Sequence, residues 1–155
     1  MTVSKANLTQ PAAGSSSWDV PLNANFGIVT NALGSITAVY VTNADVALTT
    51  TQAQSMGLSF GGLMIGNFSV FIPATTVGQW LVYNGTTGGF TLSVYVNNGS
   101  GAAAGLGVSL PSGIPTIIFS DGTNVSFISA KIADNTVNTA QIVDGAVTTA
   151  KLATN

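Results

Sequence analysis

A chain of 155 residues has room for one modest core with extensions. Only 5% of its residues are charged, the formal net charge is -2, and there is no Cys and no His. That excludes disulfides, thiolate nucleophiles, Cys or His metal ligands and a basic surface for a phosphate backbone. No cofactor is implied, nucleic acid is not an expected partner, and solubility rests on Thr, Ser, Asn and Gln.

Residues 1–17 are small and polar, with Pro11 followed by "AAGSSS". Such a segment buries too little apolar area to offset its own ordering, so it reads as an extended arm that folds against something else. The opening residues have a Lys but no apolar stretch behind it, which is not the pattern of a secretory signal. Next comes "WDVPLNANFGIVTNALGSI", where Asp19 can cap a helix, Pro21 suits its first turn and Gly34 supplies a stop. Leu22, Phe26, Val29 and Leu33 recur at spacings of three and four, predicting a short amphipathic helix over 21–33. A helix of about three turns is marginal alone. Its stripe must cover the core, copies of itself or a partner, so Trp18, Leu22, Phe26, Val29 and Leu33 are the candidate anchoring and assembly residues.

From Ile36 to about Ala130, β-branched and aromatic runs alternate with Gly, Asn, Asp and Pro clusters. This predicts an antiparallel β-sandwich or barrel-like domain over 36–130. Strands are expected near 36–42, 46–50, 63–72 and 106–110. The stretch "MGLSFGGLMIGNFSVFI" at 56–72 is uncharged, but it holds Asn67, two Ser and four Gly. It reads as buried strand and not as a membrane-spanning helix, which needs about 20 predominantly apolar residues.

In "QWLVYNGTTGGFTLSVYV" a strand at 79–84 meets the turn "NGTTGG" and returns through Phe90, Leu92, Val94 and Val96, a predicted hairpin. A second hairpin is predicted in "IPTIIFSDGTNVSFISA", with Asp121 and Gly122 at its turn. Several strands are apolar on both faces, as in Trp80-Leu81-Val82 and Ile117-Ile118-Phe119. One face can fill the core, and the other needs a second buried surface.

The chain closes on two aligned ten-residue blocks, "IADNTVNTAQ" and "IVDGAVTTAK", and the start of a third, "LATN". Ile132, Val137, Ile142, Val147 and Leu152 mark the repeating apolar positions. Units this short cannot bury a core alone, so repetition implies stacking or association between chains, and 131–155 reads as a stalk or coupling segment.

"DGAVTTAKLA" resembles the tandem repeats of tail and head fibre proteins of tailed bacteriophages. "NLTQPAAGSSSWDVPLNANFGIVTNALG" is similar to a start used by such appendage proteins. "VYNGTTGGFTLSVYVNNGSGAAAGLGVSLPSGIPTIIFSDGTNV" resembles their β-module. Together these stretches cover most of the chain. The resemblance implies a β-rich, homotrimeric virion structural protein, with 1–35 as its anchor and other virion proteins (capsid, portal or collar, tail) as partners. A host surface glycan is a further partner it admits. A capsid decoration protein and a carbohydrate-binding adhesin module are the alternative readings.

Candidate chemistry is sparse. Five acidic residues, all Asp, are scattered, with no pairing suited to glycoside hydrolysis, and no Gly-rich stretch is followed by the Lys-Ser/Thr of a phosphate loop. No enzyme is expected. Asp134 and Asp144 suggest a metal on a symmetry axis only if several copies converge, since a hard cation wants about six oxygens. Trp80, Tyr83 and Tyr95 are weighed as a carbohydrate platform against ordinary packing, and packing is the expectation.

Overall fold

The computed structural model describes residues 3–4 and 19–128, and in it the chain is mainly β, with its strands in two sheets. In chain order the elements are β1 (Val3–Ser4), α1 (Asp19–Gly34), β2 (Ile36–Tyr40), β3 (Val46–Ala47), α2 (Thr50–Ala53), β4 (Gly57–Gly61), β5 (Phe68–Ile72), β6 (Thr76–Asn84), β7 (Leu92–Asn97), β8 (Ala103–Ser109), β9 (Thr116–Asp121) and β10 (Val125–Phe127). The first sheet has the order β10-β9-β6-β4-β2, with β1 beside β6, and the second has the order β3-β5-β7-β8.

From β2 to β7 successive strands alternate between the two sheets, so each pairs with the strand two places later. These pairings are parallel: β2 with β4, β4 with β6, β3 with β5 and β5 with β7. The path is a two-sided coil in which Val46, Val70 and Val94 stack in register. Side chains continue the ladder across the corners. Asp45 Oδ1 accepts from Ser69 N at 2.7 Å and Asn67 Oδ1 accepts from Thr91 N at 2.8 Å, in each case 24 residues further on. The chain then reverses, and β8, β9 and β10 add antiparallel partners to β7, β6 and β9 respectively.

This corrects the expected all-antiparallel sandwich and, with it, the first hairpin. β6 and β7 lie in different sheets. The backbone of "NGTTGG" bonds the corner of the preceding coil: Gly85 N donates to Phe60 O, Thr87 N to Gly62 O, and Met64 N to Thr87 O. Gly88 and Gly89 hold positive φ there, and a Cβ on Gly88 would run into the Met64 carbonyl. The glycines therefore serve a corner pressed against another corner, not a hairpin loop. Leu92, Val94 and Val96 share one buried face as expected, whereas Phe90 precedes the strand and is exposed. Of the strand expected at 63–72 only 68–72 is realised, as β5; residues 62–67 form the corner after β4, where Gly62 holds a φ of +119. The hairpin at Asp121 and Gly122 stands as β9 and β10.

The core lies between the sheets and draws on both. Val39, Leu58, Phe60, Trp80, Val82 and Ile118 from the first meet Val70, Ile72, Leu92, Val94 and Val96 from the second in one apolar cluster. Before β4, α2 is closed by a capping box in which Gln52 N donates to Thr49 Oγ1 and Thr49 N to Gln52 Oε1. That short turn places the Ala53 carbonyl 2.8 Å from the buried Trp80 Nε1, which donates to it. Among the described residues no buried side-chain nitrogen or oxygen lacks a hydrogen-bond partner.

Candidate functional site

The predicted helix is present and slightly longer than 21–33, with Asp19 inside its first turn and Gly34 at its end. Its C-terminal end is fastened to the coil. The Asn31 carbonyl accepts from Ser35 N at 3.2 Å and from Met56 N at 2.8 Å, and Gly57 N donates to Ser35 O. Beyond that joint α1 buries no residue. Phe26 is 62% exposed and Leu33 is 74% exposed, with Leu22 and Val29 also outward. The spacing Leu22-Phe26-Val29-Leu33 is four, three, four, the a/d pattern of a coiled-coil seam. Of the three alternatives for this stripe, packing on the chain's own core is not realised among the described residues.

The outer face of the first sheet carries a second apolar surface. Ile117, Leu81, Gly57 and Ile36 are register partners across β9, β6, β4 and β2. Ile117 and Ile36 are exposed and Leu81 half-buried, and Phe119 stands beside Gln79 in the next row. Ile36 follows α1 closely, so the helix seam leads into this row. Charge is almost absent. The described residues hold only Asp19, Asp45 and Asp121, and no Lys.

The remaining candidates separate. Trp80 is 1% exposed and belongs to the core. Tyr95 is half-buried, with its ring centroid 6.4 Å from that of Phe71. Tyr83 alone of the three is exposed, so the structure does not bring them together as a platform. Asp121 accepts from Asn124 N at 2.7 Å, Thr123 N at 2.8 Å and Asn124 Nδ2 at 3.1 Å, the geometry of a turn. The Asn124 amide first, then its side chain and the Thr123 amide, hold the carboxyl below its ordinary 3.8.

Among the described residues no cluster of His, Cys, Asp and Glu suits a metal ion, and no helix is long and apolar enough to cross a membrane. Trp18, the repeat positions Ile132, Val137, Ile142, Val147 and Leu152, and both Asp134 and Asp144 lie outside the described residues. Tyr40, exposed on β2, escaped the sequence reading because nothing in "ITAVY" tells which face it takes. No family model matches the chain, and neither does any curated protein or solved structure.

Proposed function

We propose that this chain is a structural protein of a tailed-phage virion, a short homotrimeric fibre of head, collar or tail. Its N-terminal region anchors it, and its C-terminal repeats display or join a distal element. The observation that carries this reading is α1, a heptad-spaced apolar helix pinned at one end and with no residue buried against its own chain. Two heptads make only a marginal seam, so an outer sheet face rich in Ile, Leu and Phe supplies the further burial that stable association needs. The sequence resemblance to fibre proteins supplies the biological setting, and the scarcity of charge agrees with a mechanical role of display and joining.

Labelling intact virions with gold-conjugated antibody against the β-domain tests the assignment. Label confined to an appendage is the expected result. Label distributed over the capsid lattice would replace it with the decoration-protein reading, and no label on any particle would remove the virion altogether.

A further inference from the structure

The pair Asn-Gly occurs twice in the chain, at Asn84-Gly85 and at Asn98-Gly99. Asparagine is a chemically labile residue. The backbone nitrogen that follows it can close a five-membered ring on its Cγ, and glycine favours this because it has no Cβ to shield that nitrogen and lets the backbone turn into the ring. The fold places these two identical dipeptides in opposite surroundings.

Asn84 closes β6 and is buried. Its Nδ2 donates to Leu110 O at 3.1 Å, and its Oδ1 accepts from Thr86 N at 3.2 Å and from Thr86 Oγ1 at 2.7 Å. Gly85 N donates to Phe60 O at 2.8 Å across the corner. Ring closure there would break all of these bonds inside the fold, where the groups left over have no solvent to turn to. Asn98, by contrast, opens the turn from β7 to β8, and both it and Gly99 are exposed. Its Oδ1 accepts from Ser100 Oγ at 2.8 Å, Ser100 N at 2.9 Å and Ala102 N at 3.2 Å. Three donors on one amide oxygen draw charge from Cγ, and they strengthen as that oxygen becomes an oxyanion, which stabilises a tetrahedral intermediate. The Gly99 N–H donates to Asn97 Oδ1 at 2.7 Å, a side-chain acceptor in the turn and not a neighbouring sheet or corner, so solvent can reach the nitrogen and take its proton.

We propose that Asn98 is a self-modification site, deamidating through a succinimide, and that the same fold protects Asn84. Hydroxide takes the proton of Gly99 N, the nitrogen bonds to Asn98 Cγ, and the Cγ–Nδ2 bond breaks, releasing ammonia. Water then adds to either imide carbonyl and opens the ring to an aspartyl or an isoaspartyl residue at position 98. Water is consumed, ammonia leaves, and nothing is oxidised or reduced. The product adds a negative charge to a formal net charge of -2, in a turn with no charged residue of its own. The isoaspartyl form also lengthens the backbone beside the bond from Asn98 N to Ala102 O, 2.9 Å, and so loosens the turn between β7 and β8. This chemistry requires neither a virion nor a second copy of the chain.

The test incubates the full chain in mildly alkaline buffer, folded and in urea, and follows the replacement of NH2 by OH at each Asn by peptide mass spectrometry, with enzymatic methylation of isoaspartate identifying the isomer. In the folded chain Asn98 converts at least about tenfold faster than Asn84, which must wait for its corner to open. In urea the two rates approach each other, because only the fold separates identical dipeptides. Wild type gains an acidic band in isoelectric focusing that Asn98→Gln lacks, since the longer side chain cannot close the five-membered ring. The proposal is overturned if Asn98 stays intact in the folded chain while it converts in urea, if Asn84 keeps pace with it in the folded chain, or if the acidic band persists undiminished in Asn98→Gln.

Discussion

Trp80 is the side chain that ties the coil to its corner. Its ring fills the space between the sheets, and its Nε1 donates to the Ala53 carbonyl at 2.8 Å, at the end of α2. Trp80→Phe keeps an aromatic ring but strands that carbonyl and leaves a void, so we expect a loss of about 2–4 kcal/mol in urea unfolding with the m-value unchanged. Asp121 makes a prediction of the opposite kind, about pH. Its folded pKa lies below 3.8 because Asn124 and Thr123 donate to the carboxylate. A depressed folded pKa means stability that is present above the unfolded value and lost as pH falls through the folded one. Asp121→Asn retains an acceptor but does not titrate. The thermal midpoint of wild type should therefore fall relative to that of the variant as pH is lowered below 3.8, with the gap constant at neutral pH.

At the scale of elements, the coil depends on side chains that substitute for backbone acceptors where the sheets give way to corners. Asn67→Ala removes the acceptor of Thr91 N and should cost about 0.5–1.5 kcal/mol, whereas Asn67→Asp keeps an acceptor in place and should cost less; chemical denaturation of both variants decides. The elements also show how far the sequence could be read. Period-two burial in β7 was legible because Leu92, Val94 and Val96 alternate with polar or aromatic neighbours, and the helix was legible from Pro21 and the 3-4 spacing, although Asp19, expected as its cap, lies in its first turn. The partners of β6 and β7 were not, because "NGTTGG" offers the same glycines to a hairpin and to a coil corner, and only contact with Phe60, Gly62 and Met64 distinguishes them. Parallel stacking leaves little trace beyond Val46, Val70 and Val94. Gly57 and Gly61, the two ends of β4, concealed its limits inside an apolar run, since strands seldom contain glycine. The face taken by Tyr40 follows from register alone.

For the molecule as a whole, the coil is a sound core that leaves two apolar surfaces uncovered, the α1 seam and the Ile117-Leu81-Ile36 row, joined where α1 enters β2. We propose that copies of the chain cover them. Light scattering on the purified full chain, 15.5 kDa per copy, measures this directly, with Phe26→Asp/Leu33→Asp as the comparison. We expect the mass of three chains for wild type and of one for the variant, with the β-domain still folding cooperatively because neither residue is buried in it. A single-chain mass for wild type, or an undiminished three-chain mass for the variant, would contradict it.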